Sequence, residues 1–127
     1  MIAKNNIFNI RAGAGWVGMT GIRKGFVEFG TREYGIRAWL ILMRTYRRRY
    51  HCRSIRQIVT RFAPPHENDT AGYIAFCCKE VGVPADEELT GLTQYAQLGK
   101  AMAKMETATS LHPNDVLEVM NQFQIII

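Results

Sequence analysis

The chain opens on "NNIFNIRAGAGWVG", Asn5 to Gly18. Two adjacent asparagines lead into Ile7 and Phe8, then Asn9-Ile10-Arg11, a Gly/Ala tract and Trp16. Asparagine favours turns that its own side chain can bond, and closely spaced glycines interrupt regular structure. Most of the glycines lie in residues 1–30, and "GFVEFG" near the end of that stretch alternates as a short extended segment does. The N-terminal quarter therefore predicts loops and short strands, not helix.

From Thr31 the period changes. Ile36, Leu40 and Met43, with Trp39 and Tyr46 beside them, form an apolar stripe at helical spacing over several turns. Thr31 is a candidate cap, but Tyr34 stands where a capping box needs Glu or Gln, so this boundary is soft. Ser54-Ile55-Arg56-Gln57 does fit the box; Ile55, Ile58, Val59 and Phe62 form one face, and Pro64-Pro65 stops that helix. "ENDT" supplies caps for a third helix carrying Tyr73, Ile74, Cys77 and Val81, closed by Gly82 and Pro84. A fourth helix is predicted from about Thr90 to Glu106, with Leu92, Tyr95, Leu98, Met102 and Met105 in its stripe. Pro113 fits the first turn of a fifth, with Val116, Met120 and Phe123 inward. The "QIII" end is read as packing on the core, joining a partner or forming a β tail. Residues 1–127 thus form a single domain, mainly α (α+β), with a small irregular or β segment at its front.

A chain of 127 residues has enough core to fold without staples. Nothing approaches the roughly 18 continuous apolar residues of a membrane span, and no charged n-region precedes an apolar h-region, so no signal peptide is read. The net charge is +5, concentrated in "RTYRRRYHCRSIR", Arg44 to Arg56. Such a cluster attracts polyanions: nucleic acid, acidic lipid or the anionic groups of a cell wall. It is also what a solvated helix C-terminus looks like. The three cysteines, Cys52, Cys77 and Cys78, are odd in number, and none joins a His/Cys group with zinc-ligand spacing. We read them as free thiols, and read no cofactor and no metal site.

"NNIFNIR…WVG…GFVEFGTREYGIRA" resembles the NNPGNIR-type lysozyme-like proteins of phages and prophages, which include virion-associated peptidoglycan-degrading enzymes. That family typically continues with a "RWAPPxENxTxxY" block, which stands here as "RFAPPHENDTAGY", Arg61 to Tyr73. The first segment is also similar to the "NLFGIKAGxxWxG" of glucosaminidases and lytic transglycosylases, and the second to their "YNAGP…Y" block. In those enzymes the helix that ends in the catalytic Glu comes first. Here the corresponding helix is the one in "LGKAMAKMETAT", ending near Glu106. The resemblance therefore implies a lysozyme-like fold that is circularly permuted, a rearrangement tolerated where termini lie close together. Two departures stand out: Ile7-Phe8 replaces the usual Pro-Gly, and "ETA" (Glu106-Thr107-Ala108) replaces an "ENG"-like tail, losing the turn glycine.

The implied activity is cleavage of peptidoglycan glycan strands by a phage or prophage lytic enzyme. It would act from the virion or the host cytoplasm on the cell wall, alongside other virion proteins. Breaking a glycosidic bond requires a proton for the leaving oxygen, and a carboxylic acid supplies it near neutral pH only when an apolar surround raises its pKa. Glu106, behind Met102, Ala103 and Met105, fits that requirement and is read as the catalytic acid. Tyr73 matches a tyrosine that lies near the acid in lytic transglycosylases and is read beside it as catalytic. Asn6, Asn9, Arg11, Trp16, Glu67 and Asn68 are read as substrate-binding, through amide and guanidinium hydrogen bonds and a stacking face. Each also has a structural reading, as turn, core or cap. Glu28 and Glu33 are the rivals of Glu106, and Glu28, opposite in direction to Val27 and Phe29, is also the candidate second carboxylate. His66 has no partner suggesting a nucleophile or metal. One carboxylate without an evident second favours a transglycosylase over a hydrolase. The alternative is a non-catalytic virion-structural or nucleic-acid-binding module whose footprint is the Arg44–Arg56 cluster with Tyr46 and Tyr50 interleaved.

Overall fold

In the computed structural model, which describes residues 2–127, the chain makes a tight reversal at Lys24 (φ 49°) and Gly25 (φ 85°). Two successive positive-φ residues make the tight turn whose twist matches that of its flanking strands. These are β1 (Met19–Arg23) and β2 (Phe26–Phe29), an antiparallel pair with an irregularity between Met19 and Gly21. Alternation along β2 buries Val27 and Phe29 completely and leaves Glu28 on the other face. The N-terminal segment runs beside the other edge of β2: Val27 donates its N–H to the Ile10 carbonyl (3.0 Å), Ala12 to Gly25 (2.8 Å) and Phe29 to Lys4 (2.9 Å). The irregular front is therefore anchored to the hairpin, as backbone groups away from water must be.

Five helices follow. Thr31 caps α1 (Arg32–Arg49) by accepting from the Tyr34 N–H, a single cap bond in place of a box. Ser54 forms the full capping box of α2 (Ile55–Phe62) with Gln57. Asp69 caps α3 (Thr70–Val81), which ends at left-handed Gly82. The next helix is α4 (Leu92–Thr107), and His112 with Pro113 starts α5 (Pro113–Gln122). α3 packs on α2 and α4, α4 on α5, and α1 on α5 and β2. No described helix is long and apolar enough to cross a membrane.

The core is organised around Trp39 of α1. Its indole stacks on Phe8 at 4.9 Å between centroids, tying the N-terminal segment to the helices. Gly99 of α4 meets the indole from another direction, leaving no slack for a larger residue (an added Cβ would sit 3.1 Å from the ring). The stripe predicted for α1 is buried throughout, Ile36, Trp39, Leu40, Met43 and Tyr46 included.

Three expectations need correction. Leu92 and Met105 are 52% and 41% exposed, not part of the core. Both stand in terminal turns of α4, beyond the elements that cover Tyr95, Leu98 and Met102, and small residues (Ala96, Gly99, Ala101, Ala103) complete the buried face. Phe123 is the half-buried C-cap of α5, near Tyr34 (5.8 Å between centroids) and beneath the Arg37 guanidinium, while Val119 takes the inward place. In the "QIII" end Ile125 packs into the core and Ile126 stays exposed. All three cysteines are free, Cys77 buried and the others half-buried.

Candidate active site

Glu106 occupies the last turn of α4 because the helix ends immediately after it. Ala108 adopts the left-handed cap conformation (φ 56°), donating its N–H to Lys104 while the Thr109 N–H reaches the Ala103 carbonyl. An L-residue with a Cβ pays roughly 1 kcal/mol or more for this conformation, so the turn survives the loss of glycine at some cost. The Thr107 hydroxyl donates to the Ile7 carbonyl at 2.8 Å, joining this helix end to the N-terminal segment.

The second link is Asn9. Its backbone is left-handed (φ 53°), a conformation asparagine tolerates, and this turns its amide towards α4. Nδ2 donates to the Glu106 carbonyl at 3.0 Å and to the carboxyl Oε1 at 3.3 Å. Burial pushes the Glu106 pKa above the usual carboxyl range, while Tyr73, Asn9 and the positive charge of Arg11 act in the opposite direction without cancelling it. The carbonyl end of the helix dipole adds to the effect of burial. Tyr73, on α3, is 4% exposed. Its phenol stands beside Glu106 yet makes no hydrogen bond of ordinary geometry to any described residue. We therefore read this as a close approach, not a formed bond. Burial first, and the Glu106 charge second, hold the phenol well above its usual pKa, so it remains a donor.

Glu106 faces a cleft of about 630 Å³. Asn9, Arg11 and Trp16 line it from the N-terminal segment, Phe26 from β2, Leu42 and Tyr46 from α1. The end of α2 supplies Arg61, Phe62, Ala63 and Pro64, and the following loop His66, Glu67 and Asn68. Arg11 lies 5.5 Å above the Phe26 ring and pairs with Glu67 at 3.4 Å, the guanidinium and carboxylate both substantially exposed. His66 is 3.7 Å from the other Glu67 oxygen, and Asn68 donates to the Pro64 carbonyl. The buried Trp16 Nε1 has no partner among the described residues. A larger groove of about 930 Å³ along α4 and α5 contains none of the residues tied to Glu106.

Of the residues singled out in the sequence, Glu106, Asn9, Arg11, Trp16, Glu67 and Asn68 meet in this cleft, and Tyr73 stands beside Glu106 without lining the cleft. Asn6 does not reach it. It is 1% exposed, and its amide is spent on the backbone, Nδ2 donating to Ile10 and Val27 while Oδ1 accepts from the Ile10 N–H. Asn6 shapes the loop and is unavailable to a ligand. Asn9 likewise spends its amide on Glu106 and acts as a positioning residue. Glu28 projects beside Gly21 on β1, away from the cleft, and Glu33 is exposed in the first turn of α1. The carboxylate that shares the cleft with Glu106 is Glu67. Two cleft residues have no place in the sequence reading of the site: Tyr46 reads there as core stripe and basic footprint, and Arg61 as the start of a loop block. The arrangement can donate a proton from a half-buried carboxyl to an atom lodged in the cleft.

The chain matches no protein-family model. Among curated proteins it is similar to Protein P5 of Pseudoalteromonas phage PM2, with 35% identity over 123 residues, covering 92% of this chain and 76% of that one.

Proposed function

The chain belongs to the family of Protein P5 of Pseudoalteromonas phage PM2, and on that premise we propose that it is a phage lytic enzyme cleaving the glycan strands of peptidoglycan, with Glu106 as its acid. One observation carries the reading. A carboxyl whose pKa burial raises is fixed by Asn9 at the wall of a cleft open to a chain-like substrate. The likeness of "NNIFNIR" and "RFAPPHENDTAGY" to lysozyme-like segments supports it. So does the contact between Asn9 and Glu106 across 97 positions: segments adjacent in order in that superfamily meet here in space, as a circular permutation requires.

The mechanism follows from the charge state. Protonated Glu106 gives its proton to the glycosidic oxygen as the bond to the anomeric carbon breaks. The resulting carboxylate, with the Tyr73 phenol and the Asn9 amide as donors, then removes the proton of the muramyl C6 hydroxyl. That oxygen closes on the anomeric carbon, giving an anhydromuramyl end and returning Glu106 to its acid form. No water enters and no second carboxylate is needed. A hydrolytic course would use Glu67 to activate water, since it lines the same cleft, and would first have to part it from Arg11. Glycan strands are the proposed partner, other virion proteins the proposed neighbours, and virion or lysis-stage delivery the route.

Digestion of purified sacculi tests this. Soluble fragments with anhydromuramyl ends support the transglycosylase course, and reducing ends point to hydrolysis through Glu67. Absence of digestion, with steeply salt-dependent binding to DNA instead, favours the basic binding module.

A further inference from the structure

Arg61 differs from the paired arginines around it. Arg47 is paired with Glu88 (3.0 Å) and donates to the Leu89 carbonyl, and Arg56 is paired with Asp86 (2.7 Å). Within the cleft, Arg11 is paired with Glu67. Arg61 also lines the cleft but has no carboxylate partner among the described residues. Its guanidinium lies 3.5 Å from the Tyr50 ring centroid and 5.5 Å from that of Tyr46, a stacked arrangement that fixes its plane without using up its hydrogen-bond donors. Arg49 approaches the same Tyr50 ring at 5.5 Å, so two like charges converge on one aromatic face or edge with no anion between them. Tyr46 cannot neutralise them, because burial pushes its phenol up to about 12. Such a site is pre-organised for a planar anion.

Resting on the glycan-cleaving reading of the cleft, we propose that Arg61, stacked on Tyr50 and Tyr46, is a specificity residue that binds a carboxylate of the substrate. The chemistry favours the peptide stem of the muramyl residue as its source. A neutral sugar polymer offers an unpaired guanidinium only uncharged acceptors, whereas a stem-bearing strand presents carboxylates beside its sugars. The site would select strands that carry their stems over plain aminosugar polymers, and would draw on the flanking positive charge during encounter.

Steady-state cleavage of soluble, stem-bearing glycan strands by the wild type, Arg61→Gln and Arg61→Lys tests it, with binding of neutral N-acetylglucosamine oligomers measured in parallel. Arg61→Gln is expected to raise KM by about tenfold, the size of one charge-assisted hydrogen bond, with kcat held within about twofold. Arg61→Lys should recover part of that loss at low salt, and neutral oligomers should bind all three proteins alike. Converting the stem carboxylates to neutral amides should shrink the difference between wild type and Arg61→Gln; a difference that survives this undiminished overturns the stem as its source. An unchanged KM for Arg61→Gln, or an equal loss with neutral oligomers, overturns the inference while leaving the cleft's activity standing. A wild type that cleaves no strand overturns the reading of the cleft and this inference with it.

Discussion

Asn9 holds Glu106 at two points, donating from one amide nitrogen to the backbone carbonyl and to the carboxyl of the same residue. The bond to the backbone carbonyl fixes the Asn9 amide in place, and the bond to Oε1 then restrains rotation of the carboxyl. A loop near the start of the chain thereby fixes the rotamer of an acid near its end, and Thr107 doubles the connection through Ile7. Removing the amide should therefore damage geometry and proton affinity together. Asn9→Ala is expected to lower cleavage ten- to a hundredfold, as misplacement of a reacting group does. Because the amide favours the charged form, its loss should also move the alkaline limb of the pH–rate profile upward. A profile that keeps its shape would contradict the assignment.

The raised pKa of Glu106 has a consequence for stability that is separate from activity. A carboxyl whose folded-state pKa exceeds its unfolded value stabilises the fold fully below the unfolded pKa, near the ordinary 4.5, and that contribution is lost as pH rises through the folded pKa. Glu106→Gln, which keeps the shape and removes the charge, should raise Tm at neutral pH and change it little under acid conditions. Thermal melts of the two proteins across this range decide the matter; equal differences at both ends would contradict it.

Tyr73→Phe separates chemistry from packing. The phenol is buried with no formed hydrogen bond, so deleting the oxygen removes a desolvated polar group and should leave stability unchanged or improved by up to about 1 kcal/mol. Cleavage should nonetheless fall, because the donor beside Glu106 is lost. A variant that is less stable and fully active would show that the tyrosine is a packing residue alone.

Ala108→Gly relieves the left-handed cap behind Glu106. The expected gain is about 1 kcal/mol in denaturant unfolding, with activity retained, since φ 56° carries a Cβ penalty that glycine does not have. Loss of stability would mean that chain entropy outweighs the strain.

Gly35→Ala should act in the opposite sense. A Cβ there would fall on the Asn5 carbonyl, prising the N-terminal segment off α1. Overpacking of this kind costs about 1–3 kcal/mol, and because Asn9 lies on the displaced segment, activity should fall further than stability alone accounts for.

Local periodicity carried the helices well. The stripe of α1, the capping box at Ser54, the Asp69 cap and Pro113 at the start of α5 all depend on residues within a few positions of one another. Leu92 and Met105 continue the stripe yet lie outside the core, because periodicity does not say how far the covering elements extend. The site was legible in membership and not in roles. Asn6 and Asn9 look alike in the sequence; the fold of the loop against β2 consumes one amide internally and sends the other to Glu106. The sequence offers Glu28 as the second carboxylate and Glu67 only as a binding residue; the hairpin turns the first away and the loop after α2 brings the second into the cleft. Arg61 gains its distinction only from Tyr46 and Tyr50, rings contributed by a different helix and its C-cap.

The central claim is that Glu106 is the acid, and the most direct measurement compares the rates at which wild type, Glu106→Gln and Glu28→Gln release soluble fragments from purified sacculi. The expected result is a loss of about a hundredfold or more for Glu106→Gln, the contribution of a positioned general acid, with Glu28→Gln close to wild type. A Glu106→Gln protein that digests sacculi as fast as the wild type would contradict it.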